Sequence, residues 1–386
     1  MAPRQSRNAR GRDMPGASAR QKPAQPVSDA MARIGIDSHV LDGKHQGSRT
    51  WLGNTLTALA SSAGSHCWII YSANPEITRT LYPCPNFEHR RIDVRGSIAR
   101  NLWFWRSAAR RDRLDALVTQ YIAPLAPVRS FLVIHDLLFE SDPAFFPRLM
   151  RWRLRLLCRQ SARRADAIFT VSEYSAREIR TRYGIPSGRL HLAPNGRTHL
   201  PPPDNDDEAR AVSLRPYLLC VGRLEPRKNI ALALEASAAA RAAGSRLVIV
   251  GTADFASSGL VRTLAERPNV THLQDVSDGF LSSLYRHAAV LLYPSLGEGF
   301  GIPIIEALAH GTPVLASGLT AIPETGGSLA TYFDPRAPGA AETLARLIDD
   351  ELAQPTKLDP ARVESHLAQF DWSRSARALV EAADAL

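Results

Sequence analysis

A chain of 386 residues, 45% hydrophobic and 22% charged, has the length for two domains and the composition of a globular protein. It contains no run of about eighteen apolar residues, so no membrane-spanning helix is expected. Its four cysteines, Cys67, Cys84, Cys158 and Cys220, form no C-x-x-C pair, which argues against a metal site or disulfide framework and fits a reducing, cytoplasmic compartment. The net charge of +9 admits nucleic acid, anionic lipid or an anionic substrate as partner. No zinc-finger, RNP or helix-turn-helix pattern supports nucleic acid, so none is expected.

Residues 1–30 read as a disordered basic arm, with six basic and two acidic residues leaving +4. An organelle transit peptide is the rival reading. Arg33 to Asp37 predicts a first strand, Gly43 to Arg49 a polar glycine loop, and Trp51 to Ala60 a helix. Strands then recur at Cys67 to Tyr71, Ala116 to Thr119, Phe131 to His135 and Ala167 to Val171. Helices separate them, notably Ser97 to Asp112 and Pro147 to Arg164. This alternation predicts a parallel sheet with helices on both faces, and ligands beyond the carboxyl ends of its strands. His135 stands at such an end, where an imidazole either polarises a ligand hydroxyl or bonds a neighbouring loop. The helix from Pro147 interleaves seven arginines with Leu149, Met150, Trp152, Leu154, Leu156 and Leu157. It reads either as a solvated face or as contact with an anionic membrane, by adhesion without deep insertion.

Pro201 to Glu208 is rich in proline and acid, which predicts a linker over 201–212. A second domain opens with the strand Tyr217 to Gly222. Its exit loop holds Arg223, Arg227 and Lys228, and Asn229 is placed to cap a helix over Ile230 to Ala243. Arg223 and Lys228 beside a helix start make a diphosphate site, with Arg227 as the solvated member. Strands at Arg246 to Gly251, Val270 to Leu273 and Ala288 to Tyr293 follow, and helices at Ala341 to Leu352, Pro360 to Gln369 and Ser373 to Ala383 close the chain.

The densest signal runs from Tyr293 to Gly318. A strand enters a glycine-rich turn, Gly297 to Gly301, that carries Glu298. Pro303 fits the first position of a helix and Gly311 the position past its end. Glu306 lies among Ile304, Ile305, Ala307 and Leu308. A carboxylate there is costly unless hydrogen-bonded, and a ribose diol offers two O–H donors. The alternative is a Glu306 bonded to a neighbouring backbone and a solvated Glu298.

Glu298-Gly299-Phe300-Gly301-Ile302-Pro303, with Glu306 and Gly311-Thr312-Pro313-Val314, resembles the E-x7-E signature of retaining glycosyltransferases of family 4, which have the GT-B fold. The resemblance runs, more weakly, over roughly residues 33–384, through Val171 to Ser175, Tyr183 to Pro186 and Ala193 to Gly196. It implies two Rossmann-like, doubly wound α/β domains facing across a cleft. These are an acceptor domain at 31–200 and a donor domain at 213–372, with 373–386 crossing back to the first.

By the same resemblance, Arg223 and Lys228 contact the donor phosphates and Glu298 holds sugar hydroxyls with the backbone of Gly299, Phe300, Gly301 and Ile302. Glu306 then holds the ribose, Gly47 and Ser48 approach the diphosphate, and His135 stands near the reacting centre. The chain departs from the pattern at Arg197-Thr198, where the family has Val-Asp, and at Gln274-Asp275, where it has a glycine bordering the base.

The expected activity is transfer of a hexose, mannose by family frequency, from a nucleotide-diphosphate sugar to a glycan or lipid-linked hydroxyl. The setting would be surface polysaccharide or lipopolysaccharide assembly. No cofactor or metal is expected, since the two basic residues can do a metal's work. An inactive scaffold, a nucleotide-sugar epimerase and a sugar phosphorylase are the rivals. The pairing of two acids with Arg223 and Lys228 disfavours all three.

Overall fold

The computed structural model describes residues 31–42, 47–62, 64–94, 96–241, 246–253 and 258–386. The basic arm and the Gly43–Gln46 part of the first loop lie outside the described residues. The first sheet contains β1 (Arg33–Asp37), β2 (Cys67–Ser72), β3 (Phe87–Arg91), β4 (Ala116–Gln120), β5 (Arg129–Val133), β6 (Ala167–Thr170) and β7 (Leu190–Leu192). Its helices are α1 (Gly47–Ser62), α2 (Pro75–Leu81), α3 (Ser97–Ala99), α4 (Trp105–Arg111), α5 (Leu138–Ser141), α6 (Arg148–Arg164) and α7 (Glu173–Tyr183). The second sheet contains β8 (Tyr217–Val221), β9 (Arg246–Val250), β10 (Val270–Leu273), β11 (Val290–Tyr293), β12 (Val314–Ser317) and β13 (Thr331–Phe333). Around it run α8 (Asn205–Ser213), α9 (Ile230–Ala239), α10 (Ser258–Ala265), α11 (Asp278–His287), α12 (Ile302–Ala309), α13 (Ile322–Gly326), α14 (Ala340–Ala353), α15 (Pro360–Leu367) and α16 (Trp372–Asp384).

Both sheets are parallel, in the orders β3-β2-β1-β4-β5-β6-β7 and β10-β9-β8-β11-β12-β13. Central strands such as β2 and β11 are buried along their whole length, as strands covered on both faces must be. The order reverses between β1 and β4 and again between β8 and β11. At such reversals the loops leaving the carboxyl ends splay apart and open a crevice.

The structure adds β3, β7, β12 and β13 to the strands legible in sequence. Three of these are short edge strands, and β12 is only four residues long. α1 starts at Gly47, four residues before the expected Trp51. Of the stretch 201–212, residues from Asn205 on are helical. Asp204 caps α8 by accepting from Asp207 N at 2.7 Å, and Glu208 pairs with His287 of α11 at 2.6 Å. Asn229 does not cap α9. Its backbone is left-handed (φ 53°, ψ 41°), whereas a capping side chain needs an extended one.

Trp51 is fully buried and its Nε1 donates to Ala193 O at 2.9 Å, tying α1 to the segment after β7. α16 returns to this region. Ser375 Oγ donates to Pro194 O at 2.6 Å, and Asp384 pairs with His66 at 2.8 Å. Arg197, the departure from the family pattern, pairs with Glu364 at 2.8 Å and donates its N–H to Phe370 O. Trp51→Ala should lower the unfolding free energy by about 3–5 kcal/mol, through the cavity and the lost bond. Urea denaturation checks this, and a loss under about 1 kcal/mol would contradict the stated role of Trp51.

Candidate active site

Five charged side chains form one chain of contacts at the carboxyl end of the second sheet. Arg223 Nη1 lies 3.0 Å from Glu225 Oε1, and Arg227 Nε donates to Glu225 Oε2 at 2.8 Å. Arg227 Nη1 donates to Glu298 Oε2 at 2.6 Å, and Lys228 Nζ lies 2.6 Å from Glu298 Oε1. The local cause is the 3₁₀ turn Pro226–Lys228, which turns two successive basic side chains toward the β11–α12 loop. Arg227, expected to be solvated, is therefore bound between two carboxylates, and it also reaches Gly297 O at 3.2 Å. A solvated position would leave buried Glu298 with one cation in place of two.

Burial works to raise the Glu298 carboxyl, but the charges of Arg227 and Lys228 outweigh it and hold the group down at about 2. Burial pulls Lys228 down, and the Glu298 charge opposes that pull. The pair is ionised, because the carboxylate sees two cations while each cation sees a carboxylate at contact. Lys228 Nζ holds Oε1 by an ion pair at 2.6 Å, and this oxygen keeps lone-pair capacity for a further donor. A sugar hydroxyl is the kind of donor that suits it. The backbone of Glu298 is held by its own N–H, which donates to Thr320 Oγ1 at 2.9 Å.

Two glycines shape the loop. A Cβ on Gly299 would lie 2.8 Å from His135 O, so only glycine lets this loop press against the carboxyl end of β5. Gly301 has φ 140° immediately before α12, a conformation that favours glycine. Phe300 turns its ring into the core, edge-on to Phe370, which leaves its backbone for the site. Ile302 opens α12 with Pro303 in its first turn.

His135 is buried beside Gln120. Its Nε2 lies 3.0 Å from Gln120 Oε1, and the ring packs edge-on to Trp51. Burial lowers it to about 4, so the imidazole is neutral at pH 7. A neutral ring that donates to Gln120 keeps Nδ1 as an acceptor. The amide nitrogen of Gln120 is buried with no hydrogen-bond partner among the described residues. Asp136, next in the chain, caps the turn into α5 through Leu138 N at 3.1 Å and is raised by burial.

The cleft is bridged by further contacts. The Glu324 carboxylate accepts from Glu173 N at 2.8 Å and Tyr174 N at 2.6 Å at the start of α7, and Arg336 pairs with Asp142 at 2.6 Å.

Glu306 lies on α12, apart from this chain of charges, and accepts from Tyr285 Oη at 2.8 Å. The buried carboxylate therefore has a phenol for a partner on α11. Gly47 and Ser48 form the first turn of α1, with open space where a Cβ on Gly47 would stand. Sequence reading missed Arg227, Tyr285, Gln120, Asp136 and Glu324. The alternation Glu225-Pro226-Arg227-Lys228 held a signal for the first of these. For Tyr285 and Glu324, which act across tens of residues, it held none.

Burial raises Glu306 to about 7, against the opposing pull of the Tyr285 bond. Between the ordinary 4.5 and 7 the native chain therefore binds more protons here than the unfolded chain. Its stability falls as pH rises through that window, by up to roughly 3 kcal/mol. Glu306→Gln, neutral throughout, should gain thermal stability over the parent as pH rises from 4.5 to 7 and hold that gain above it. Melting curves across this range check it; a constant difference would contradict the assignment.

Residues 46–199 match the family described as Glycosyltransferase Family 4, and residues 215–350 match the one described as Glycosyl transferases group 1. The chain is 29% identical to the O-antigen chain mannosyltransferase RfbU of Salmonella typhimurium, over 53% of this chain and 56% of that protein. It is 29% identical to O-antigen chain mannosyltransferase B of Escherichia coli, over 63% and 67% respectively. It thus spans between half and two thirds of the length of these two relatives. Anabaena HepE, solved with UDP-glucose, shares the fold, with TM-score 0.69 and 16% identity over 92% of this chain and 100% of that one. With two parallel-sheet Rossmann-like domains and a family match on each, the chain belongs to the family 4 type of GT-B glycosyltransferases.

Proposed function

We propose that this chain is a retaining glycosyltransferase that moves a hexose from a nucleotide-diphosphate sugar to a hydroxyl of a glycan or lipid-linked acceptor. The relatives' names favour mannose and surface polysaccharide assembly. The observation that carries the reading is the buried Glu298 carboxylate between Arg227 and Lys228, with Glu306 eight residues further on in α12. A carboxylate held ionised in a dry site beside cations suits a reaction in which a sugar gains positive character and its leaving diphosphate gains negative charge.

In this reading Arg223 and Lys228 meet the diphosphate, with the helix start and the Gly47-Ser48 turn at its edges. Glu298 and the backbone of Gly299 to Ile302 hold the sugar hydroxyls. Arg227 keeps Glu298 ionised and in place. Glu306 holds the ribose with the oxygen turned from Tyr285, and neutral His135 orients a sugar or acceptor hydroxyl. The acceptor oxygen attacks the anomeric carbon on the face the diphosphate leaves. The C–O bond to the diphosphate breaks, and a diphosphate oxygen takes the acceptor proton. Two cations supply the charge compensation, so no metal is required. The enzyme works at the cytoplasmic face of a membrane, where a lipid-linked acceptor is presented.

Hydrolysis of a panel of nucleotide sugars would identify the donor; no turnover with any of them would overturn the reading. Arg223→Met or Lys228→Met should lose roughly 10²–10³ in kcat, the scale of one preorganised donor. Near-normal turnover in the double variant would remove the phosphate role. Activity should survive a chelator, and loss restored by magnesium would contradict metal independence. Glu306→Gln should weaken nucleoside diphosphate binding in calorimetry, and an unchanged Kd would remove the ribose role.

A further inference from the structure

Tyr293 ends β11 with only 2% of its surface exposed. Phenylalanine would pack such a site as well and would bury no polar group, so the hydroxyl calls for a partner. Lys228 is that partner. Its Nζ donates to Tyr293 Oη at 3.2 Å and lies 5.0 Å from the centroid of the ring. Burial, and then the Glu298 charge beside it, push the phenol well above its ordinary range. Lys228 therefore faces a neutral hydroxyl here and not a second anion.

The ammonium is held from three sides. The first is the exit of β8. A Cβ on Gly222 would lie 3.2 Å from Lys228 Cε and 3.3 Å from Nζ, so the end of the side chain rests on bare backbone. Gly222 has φ 143°, a conformation that side chains rarely adopt. The second side is Glu298 Oε1 on the β11–α12 loop, 2.6 Å from Nζ. The third is the hydroxyl of Tyr293. These sides meet because β8 and β11 pair directly, with Leu219 opposite Leu291, which sets Gly222 and Tyr293 at adjoining carboxyl ends.

A lysine is a point charge on a flexible stem, so any direction it has comes from its surroundings. Its ammonium carries three N–H donors and no acceptor. Among the described residues, Tyr293 Oη and Glu298 Oε1 are the partners of Nζ, and they draw on two of the three. With two donors engaged, tetrahedral geometry sets the line of the third. Loss of the hydroxyl would leave the Glu298 ion pair as the one remaining polar guide, and the ammonium could turn about its last bond.

We propose that Tyr293 is a positioning residue whose hydroxyl, with Glu298 and the bare backbone of Gly222, aims the third N–H of Lys228 at a bound diphosphate. That this diphosphate belongs to a nucleotide sugar rests on the glycosyltransferase reading above; the aim of the ammonium does not. The rival role is structural: the hydroxyl would offset the burial of Lys228 and have no bearing on a ligand.

Calorimetric titration with inorganic pyrophosphate separates the two, because this probe needs neither base nor sugar. Tyr293→Phe keeps the ring and removes the hydroxyl. It should weaken pyrophosphate binding about tenfold, the scale of one hydrogen bond to a charged group. Lys228→Met should weaken binding at least as much. Adding Tyr293→Phe to Lys228→Met should change nothing more, since a residue that acts through Lys228 then has nothing to position. Melting curves would verify the fold of each variant. Unchanged binding in Tyr293→Phe, with or without a lower melting temperature, would overturn the proposal. So would losses that simply add in the double variant, or a wild type that does not bind pyrophosphate. With the donor found by the nucleotide-sugar panel, Tyr293→Phe should lower kcat about tenfold and leave KM for the acceptor unaltered. Pyrophosphate binding that follows this pattern in a chain with no turnover would count against the glycosyltransferase reading and leave the role of Tyr293 standing.

Discussion

A carboxylate cannot stay ionised away from water unless other charges hold it so, and Glu298 shows how this chain meets that constraint. Arg227 and Lys228 reach its two oxygens at 2.6 Å, and Glu225 holds both Arg227 and Arg223 from the other side. Breaking one member of such a set strands another buried charge, so the group acts as a unit. The strand β8, the 3₁₀ turn and the β11–α12 loop are adjacent in space because β8 and β11 pair directly. The site therefore depends on the crossover at the centre of the second sheet.

The second constraint is closeness across the cleft. Gly299 packs on the end of β5, and Glu324 satisfies two backbone N–H groups at the start of α7. A helix start carries orphan donors and partial positive charge, so a carboxylate from the facing domain is a favourable partner. The same contacts bring neutral His135 beside the Gly297–Gly301 loop. The cleft thus combines a charged wall on the second domain with a buried, uncharged imidazole on the first.

The two glutamates of the motif have opposite electrostatics. Glu298 is held well below the usual carboxylate range by two cations, while Glu306 is pushed up to about 7 by burial with only a phenol beside it. Eight residues of sequence separate them, and the difference comes from what other elements bring to each. α11 contributes Tyr285 to one, and the β8 exit loop contributes two cations to the other.

Much of this was legible in the residues themselves. Alternating apolar runs and helical stretches determined two parallel α/β domains, because strands buried on both faces must be apolar throughout. Glycine, proline and two acids in one register located the loop and helix at Glu298 and Glu306, because backbone conformation at those positions depends on local chemistry. Only tertiary structure decided which charges meet. Arg227 looked solvated because its partner lies 71 residues away, and Tyr285 carried no signal because a buried phenol resembles any core aromatic until its neighbour is known. The same holds for α6. Its composition showed arginine and leucine in alternation, but which face is buried depends on the sheet beneath it. Arg153 of α6 meets Ser97, 56 residues earlier in the chain, only through a tertiary contact.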